Sequence, residues 1–532
     1  MRLLPLLAML LALALACGDD DAGDDAGADA GADVGGDVGS DATVDAGPML
    51  DPWPGRMPAT SELGLRRGRA IARSIIHLHS PLSHDACDGE GWVDGELADP
   101  DCLQHLRDSL CALRIDAAML TDHAPHVNEA DFMRALWIAD GDEPILVDDV
   151  PVANRMACAD GHRVLIQVGS ENRLMPIGLE RHPGDSTDPE VLNTLYDSDD
   201  VDAIAAFRDA GALVWIAHTE EKDVDYLRGL NLDGLELYNL HADVDPRSRQ
   251  EFLGIEDPGG FLGTLLGFTR PALDLTGDLA VMTFLSRQAV TLGKWDTLLA
   301  EGRRIAGSGG CDAHENAFPM PLLDGERADS YRRMMSWITN HVLVDEVSPE
   351  GIQEGLDTGR LYVVHEVFGT PMGFDFVATD GTDEYDMGDA APLGVMIEAS
   401  MPALPEGFPN DPAPTLSLHL LRSEAGGAVE VASTTEATLS FAADQPGAYR
   451  VEVRMVPEHA RPYVAAVADE LIREQTWVYS NPIFVELPEP AAAPPIFSPT
   501  HTSPAWQRVI RRAQQSIPVR AADRMPGAPP PR

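Results

Sequence analysis

Residues 74–80 read Ser74-Ile75-Ile76-His77-Leu78-His79-Ser80, an apolar run that ends in two histidines two residues apart. On an extended strand, residues i and i+2 face the same side, so His77 and His79 can reach one point in space. The same pattern recurs further along the chain. Ala117–Leu120 runs into Thr121-Asp122-His123, Val164–Val168 into Gly169-Ser170-Glu171, Leu213–Ala217 into His218, and Ile305–Ser308 towards Cys311-Asp312-Ala313-His314. Helical stretches separate these runs from near Leu63 to about Val364, which predicts an α/β fold. In a β/α barrel, groups at the C-terminal ends of strands converge on one mouth.

The residue types at these ends suit a cation. Imidazoles with a few carboxylates fit zinc, manganese or iron, and a carboxylate such as Glu171 can bridge two ions. Asp312 and His314 repeat the i, i+2 spacing from a second strand. Each residue alone has an ordinary explanation: His79 or His218 as a hydrogen-bonded structural histidine, Asp312 as a helix cap, Asp122 as a buried strand-end acceptor. Five coincident strand ends favour metal binding. Other chemistries find less support. Gly307-Ser308-Gly309-Gly310 lacks the spacing of a nucleophile elbow, and Gly293-Lys294 has no glycine-rich loop before it. Cys311 reads as a packing residue. His126 and His241 are compatible with facing the pocket, surface or structural roles fit them at least as well, and both stand outside the ligand set.

Taken in order, His-x-His, Thr-Asp-His, Gly-x-Glu, Ala-His and Asp-Ala-His resemble the polymerase and histidinol phosphatase (PHP) family of metal-dependent hydrolases, over about Ile75 to Val364. Leu235-Glu236-Leu237-Tyr238-Asn239, with a C-terminal sandwich closing on Ser480-Asn481-Pro482-Ile483, resembles the branch containing carbamate-ester hydrolases. The resemblance implies a distorted (β/α)7 barrel with two or three divalent ions. By position, His77, His79, Glu171 and Asp312 would hold one ion. Glu171 would bridge to a second held by His218, and His84, His123 and His314 would hold a third. His84, seven residues after His77, is preferred over Asp85. Met175 stands near a position where relatives carry a histidine, with His182 as the available substitute, and Thr219 stands where they commonly carry proline. The expected activity is hydrolysis of a small-molecule ester by metal-activated water, with His218 and Asp312 as candidates for moving protons. A phosphoester is expected first, and a carboxylic or carbamate ester next. The competing reading is a non-catalytic surface binding protein on a degenerate barrel of this type.

The ends of the chain carry different information. Arg2 precedes an apolar run, Leu3–Ala16, too short for a membrane span, and Leu13-Ala14-Leu15-Ala16-Cys17 resembles a bacterial lipoprotein processing site. Residues 1–17 are therefore expected to be a signal peptide, with Cys17 lipidated and the protein anchored at the cell envelope, periplasmic or surface-exposed. Residues 18–50 repeat Asp, Ala and Gly, as a solvated tether does. The formal charge is −49, and ten aspartates between Gly18 and Pro48 supply only ten of those units. Such a surface repels nucleic-acid backbones, so no nucleic-acid partner is expected. Cys87, Cys102, Cys111 and Cys158 can form two disulfides in three ways, with Cys311 left over.

The barrel is expected over residues 63–368, a small antiparallel β-sandwich over 370–488, and a Pro/Ala-rich tail over 489–532. Expected sandwich strands are Leu416–Leu421, Ala437–Phe441, Tyr449–Met455 and Trp477–Leu487, with turns at Gly426-Gly427 and Pro446-Gly447. Strict alternation in Tyr449–Met455 predicts one buried and one wet face.

Overall fold

The computed structural model describes residues 52–184 and 186–487. The apolar N-terminal run, Cys17, the tether and the tail from residue 488 lie outside the described residues.

The fold is mixed α/β, with one large mixed sheet and separate smaller sheets. Its central strand is Ala70–Leu78, buried along eight of its nine positions, as an apolar strand covered on both faces must be. It lies parallel to Ala117–Leu120, which lies parallel to Arg163–Gly169. The helix Pro100–Ala112 makes the first crossover. Asp99 caps it by accepting from the amides of Asp101 and Cys102, and Pro100 occupies its first turn. Met175–Leu179 then runs antiparallel to Arg163–Gly169 and to Leu213–Trp215. Gly234–Asn239 and Ala306–Gly310 form a parallel pair.

That pair is tied to its neighbours on both sides. Asp233 N donates to Val214 O at 2.9 Å and Glu236 N to Ile216 O at 3.1 Å. On the far side His79 N donates to Ala313 O at 3.1 Å, and the side-chain amides of Asn340 and Asn481 stand in for a strand partner at Gly309 and Gly307. All the strand-end ligand candidates therefore emerge at one end of the assembly.

The second half departs from a free-standing sandwich. Asp375–Thr379, Glu384–Tyr385, Met396–Ser400 and Thr438–Ala442 form a four-stranded antiparallel sheet. Thr415–Glu424, Gly427–Thr434, Gly447–Val456, Gln475–Ser480 and Ile483–Val485 instead join the large sheet, because Leu361–Val364 pairs with Gln475–Ser480 in the register Val364↔Val478. Hydrogen bonding thus runs continuously across the expected boundary near residue 369.

The wet face expected in Tyr449–Met455 is not wet. Arg450 and Glu452 are 1 % and 0 % exposed, because the helix Ala289–Ala300 covers that face and brings Asp296 to Arg450 at 2.9 Å. Arg450 also reaches Glu452 at 2.9 Å, so the alternation marks two buried faces, one apolar and one of paired charges.

Two disulfides are present, Cys87–Cys102 and Cys111–Cys158, and Cys311 is a buried free thiol. Among the described residues no helix is long and apolar enough to cross a membrane.

Candidate metal centre

Four side chains from three strand ends meet at one point. His77 Nε2 lies 2.6 Å from Glu171 Oε2, 3.1 Å from Asp312 Oδ1 and 3.1 Å from His79 Nε2. His79 Nε2 lies 3.1 Å from Glu171 Oε2 and 3.2 Å from Asp312 Oδ1. Ligands at 2.0–2.1 Å around a tetrahedral zinc are ~3.3 Å apart, so this spacing is close to that of an ion's ligand shell. All four residues are at most 4 % exposed. The local chain is shaped to deliver them. His218 and Asp312 both take left-handed backbone angles, at φ 49° and 50°, shortly after the strands Leu213–Trp215 and Ala306–Gly310. Such non-glycine residues cost on the order of 1 kcal/mol each and occur where a side chain must be aimed.

The imidazoles are held from behind. His77 Nδ1 is 2.7 Å from Glu236 Oε1, His79 Nδ1 3.3 Å from Ser83 Oγ, His123 Nδ1 2.6 Å from the Glu171 carbonyl, and His218 Nδ1 3.3 Å from Glu220 Oε1. In all four rings Nδ1 is anchored, and Nε2 lies within 3.6 Å of a Glu171 carboxylate oxygen. This is how proteins fix the tautomer and direction of metal-ligating histidines. Gly310 makes room for the most buried of these supports. A Cβ there would collide with Glu236 Oε1 and approach His77 Nδ1 to 3.1 Å, so only glycine lets the Glu236 carboxylate reach the ring.

Two further groups adjoin the quartet. His218 Nε2 lies 2.9 Å from Glu171 Oε1, the oxygen that the first group leaves unused, and 4.0 Å from Asp312 Oδ2. His241 Nδ1 lies 3.3 Å from that same Asp312 oxygen. The chain around His241 explains its arrival: the short helix Leu240–Val244 begins where the Gly234–Asn239 strand ends, and Asn239 caps it by accepting from His241 N. His241, read from the sequence as lying outside the ligand set, is therefore part of the second group, with His218 and Asp312.

The third group requires a correction of one residue. Asp85 Oδ2 lies 3.8 Å from His123 Nε2 and 3.5 Å from His314 Nε2, and Asp85 groups with His79 and His123. The position expected for His84 is thus taken by Asp85, while His84 places its ring 5.3 Å from that of His123.

Met175 packs in an apolar cluster with Ile76, Met119 and Trp215. His182 does not replace the histidine expected near there. Its ring nitrogens are each 3.0 Å from another partner, Tyr196 Oη and the Ala130 carbonyl. Asp122 is a strand-end acceptor, taking Ser80 N at 2.5 Å and Ser80 Oγ at 2.7 Å. Burial raises its pKa to about 6 against those bonds. Burial also pushes the Cys311 thiol up to about 12, which leaves it unreactive.

The electrostatics ask for positive charge at the centre. Burial alone would lower the His77 and His79 pKa values. Glu171, Glu236 and Asp312 outweigh it and hold His77 well above its ordinary value, and Asp312 and Glu171 raise His79 to about 10. Burial raises Glu171 and Asp312, but the surrounding imidazoles bring both carboxyls well below the usual range. A divalent cation supplies the same charge while leaving the imidazoles neutral, as ligands must be. Buried histidine, aspartate and glutamate here form a site that could hold divalent metal. A different acidic group, Asp278, Asp324 and Glu326, is closed by Arg333 at 2.8, 2.8 and 3.3 Å and by Arg332, so each of its carboxylates already has a guanidinium partner.

No protein-family model and no curated protein matches this chain. Among solved structures, one similar to it is a two-domain protein from Bacteroides vulgatus containing a predicted PHP-like metal-dependent phosphoesterase. It is 13 % identical, the match covers 81 % of this chain and 100 % of that one, and the TM-score is 0.26. PsfC from Pseudomonas syringae is 14 % identical over 51 % of this chain and 82 % of its own, with a TM-score of 0.24. Overlap this loose assigns neither fold nor function, and both rest on the geometry above.

Proposed function

We propose that this chain is an exported metal-dependent hydrolase of the PHP type that cleaves a small-molecule ester, a phosphoester first. The observation that carries the reading is the His77–His79–Glu171–Asp312 quartet, with Glu171 and Asp312 each offering a second oxygen to an adjoining group. Shared carboxylates of this kind suit two or three neighbouring divalent ions, zinc, manganese or iron. The ordered motifs support a distorted seven-stranded barrel. So does the ring of backbone and amide bonds from Ala70–Leu78 through Ala117–Leu120, Arg163–Gly169, Met175–Leu179, Leu213–Trp215 and Gly234–Asn239 to Ala306–Gly310.

When bound, divalent cations supply Lewis acidity, which brings a water's pKa toward neutrality and offsets charge developing on an ester. The chain's own residues do the rest. Glu236, Ser83 and Glu220 hold the rings of His77, His79 and His218, and Asp312 and His218 are the candidates to take a proton from water or hand one to a leaving oxygen.

A carboxylic or carbamate ester is the second reading. It is favoured by the cavity beside the cluster, which among the described residues has no lysine or arginine in its lining to receive a phosphate dianion. The purified protein, loaded with zinc, manganese or iron, would be assayed on an aryl phosphate, a phosphodiester and a carboxyl ester. Metal-dependent turnover of the phosphate supports the first reading and turnover of the carboxyl ester alone the second. Bound metal with no turnover of any would leave a binding protein and overturn the hydrolase.

The lipid anchor at Cys17 is part of the proposal. Cys17→Ser should move the protein from membranes to the soluble fraction, and equal partition of the two forms would overturn anchoring.

A further inference from the structure

A cavity of about 50 Å³ opens directly on the metal cluster, and His241, Asp312 and His314 form one of its walls. The opposite walls are apolar: Leu240, Val244, Phe284, Phe318, Met334 and Trp337. Phe284 and Trp337 meet edge to face at 5.9 Å between ring centres, a favourable aromatic pair within this wall. The cavity's one carboxylate outside the cluster, Asp329, is already committed. It accepts from the amides of Ala317 and Phe318 at 2.8 and 2.7 Å and pairs with Arg327 at 2.6 Å. A cavity of this size takes roughly three to five water-sized groups, but a pocket walled by carbon offers water few partners. Its chemistry fits an apolar group covalently attached to whatever reacts at the metal cluster.

We propose that this cavity is the subsite for a small apolar substituent beside the scissile bond, a branched alkyl group of about three or four carbons. The substrate is then a hydrophobic ester rather than a sugar phosphate or nucleotide. The assignment of the substituent to a substrate rests on the hydrolase reading; the subsite itself is tested by binding. Transfer of each methylene from water is worth about fourfold in affinity, so a filled pocket should discriminate strongly between homologues.

The test uses the full-length, zinc-loaded protein and two inert probes, methylphosphonate and isopropylphosphonate, titrated calorimetrically. Isopropylphosphonate is expected to bind at least about tenfold more tightly, and Val244→Phe, which fills the pocket, to cut that ratio below about threefold. Val429→Phe, at an exposed strand position, should keep the wild-type ratio. If Val244→Phe does not fold, Met334→Ala enlarges the same pocket. It should favour phenylphosphonate over isopropylphosphonate at least about fivefold more than the wild type does. Equal affinity for methyl and isopropyl probes, no binding of either, an isopropyl advantage that survives Val244→Phe, or a phenyl preference unchanged by Met334→Ala overturns the subsite. Selective isopropyl binding without turnover of any ester would keep the subsite and overturn the hydrolase. Ester turnover with equal probe affinity would do the reverse.

Discussion

Two buried charged clusters in this molecule solve the same problem in opposite ways. Asp296 and Glu452 lie in the interior and share Arg450, at 2.9 Å from each, and Arg287 and Arg454 also reach Glu452, so the cluster carries its own counter-charge. Glu171 and Asp312 are as deeply buried, yet no guanidinium or ammonium among the described residues pairs with them, only imidazoles. Arginine stays charged and ends the matter. An imidazole is a ligand or an acid depending on what else arrives. The carboxylates closed by arginine already have their cation, and those closed by imidazoles alone could hold one. The comparison also separates the quartet from Asp278, Asp324 and Glu326, which has the same acids but arginine partners.

The contrast can be broken most severely from the histidine side. His79→Ala should lower metal affinity by more than about a hundredfold, beyond the range of outer supports, and abolish hydrolysis with the fold intact. His241→Ala should remove the second ion's share, whereas Asp324→Ala, in the arginine-closed cluster, should keep all the metal. Metal analysis of the three purified variants decides this.

From the arginine side the effect is on stability. Arg450→Met strands Asp296 in the interior and should cost about 3–5 kcal/mol in a denaturant titration, with metal content unchanged in the folded fraction. Acid should act on the same kind of pair. Glu366 is held at about 2 by Arg73 and His341 against the penalty of burial, from an ordinary 4.5. Its contribution, about 3 kcal/mol, is present above pH 4.5 and is lost as pH falls through 2, because the unfolded chain takes up the proton first. Glu366→Gln should flatten the acid limb of the stability curve by that amount. An unchanged acid limb would show that the pair contributes nothing. Smaller still is Glu236→Gln. It weakens the support behind His77, along with the bonds that Glu236 accepts from His218 N and Asn239 Nδ2, and should cost 10–100-fold in metal affinity or activity.

How much of this was legible in the sequence follows from where periodicity operates. Strand ends obey the two-residue repeat, so His77, His79, Glu171, His218 and Asp312 could be placed on one mouth. Asp85 sits in a turn-rich stretch without a period, so only the ligand position implied by the family resemblance favoured its neighbour His84. His241 begins a short helix rather than ending a strand, which hid it. Glu236 lies within an apolar run and reads as an isolated polar interruption until His77 is seen behind it. The alternation in Tyr449–Met455 correctly marked two faces but carried no information about the helix Ala289–Ala300 covering the second. The pairing of Leu361–Val364 with Gln475–Ser480 joins segments more than a hundred residues apart, beyond the reach of local patterns.

The central claim is that the histidine cluster is a metal site whose protons stand in for cations. Calorimetric titration of the chelated protein with zinc at pH 8, repeated in buffers of different ionisation enthalpy, addresses it directly. Asp312 and Glu171 raise His79 to about 10, so that ring brings a proton to the titration at that pH, and neighbouring carboxylates shift His77 and His218 in the same direction. Two or three ions per chain should bind, with at least about one proton released as the first ion enters. Absence of binding, or uptake with no proton released, would contradict the account.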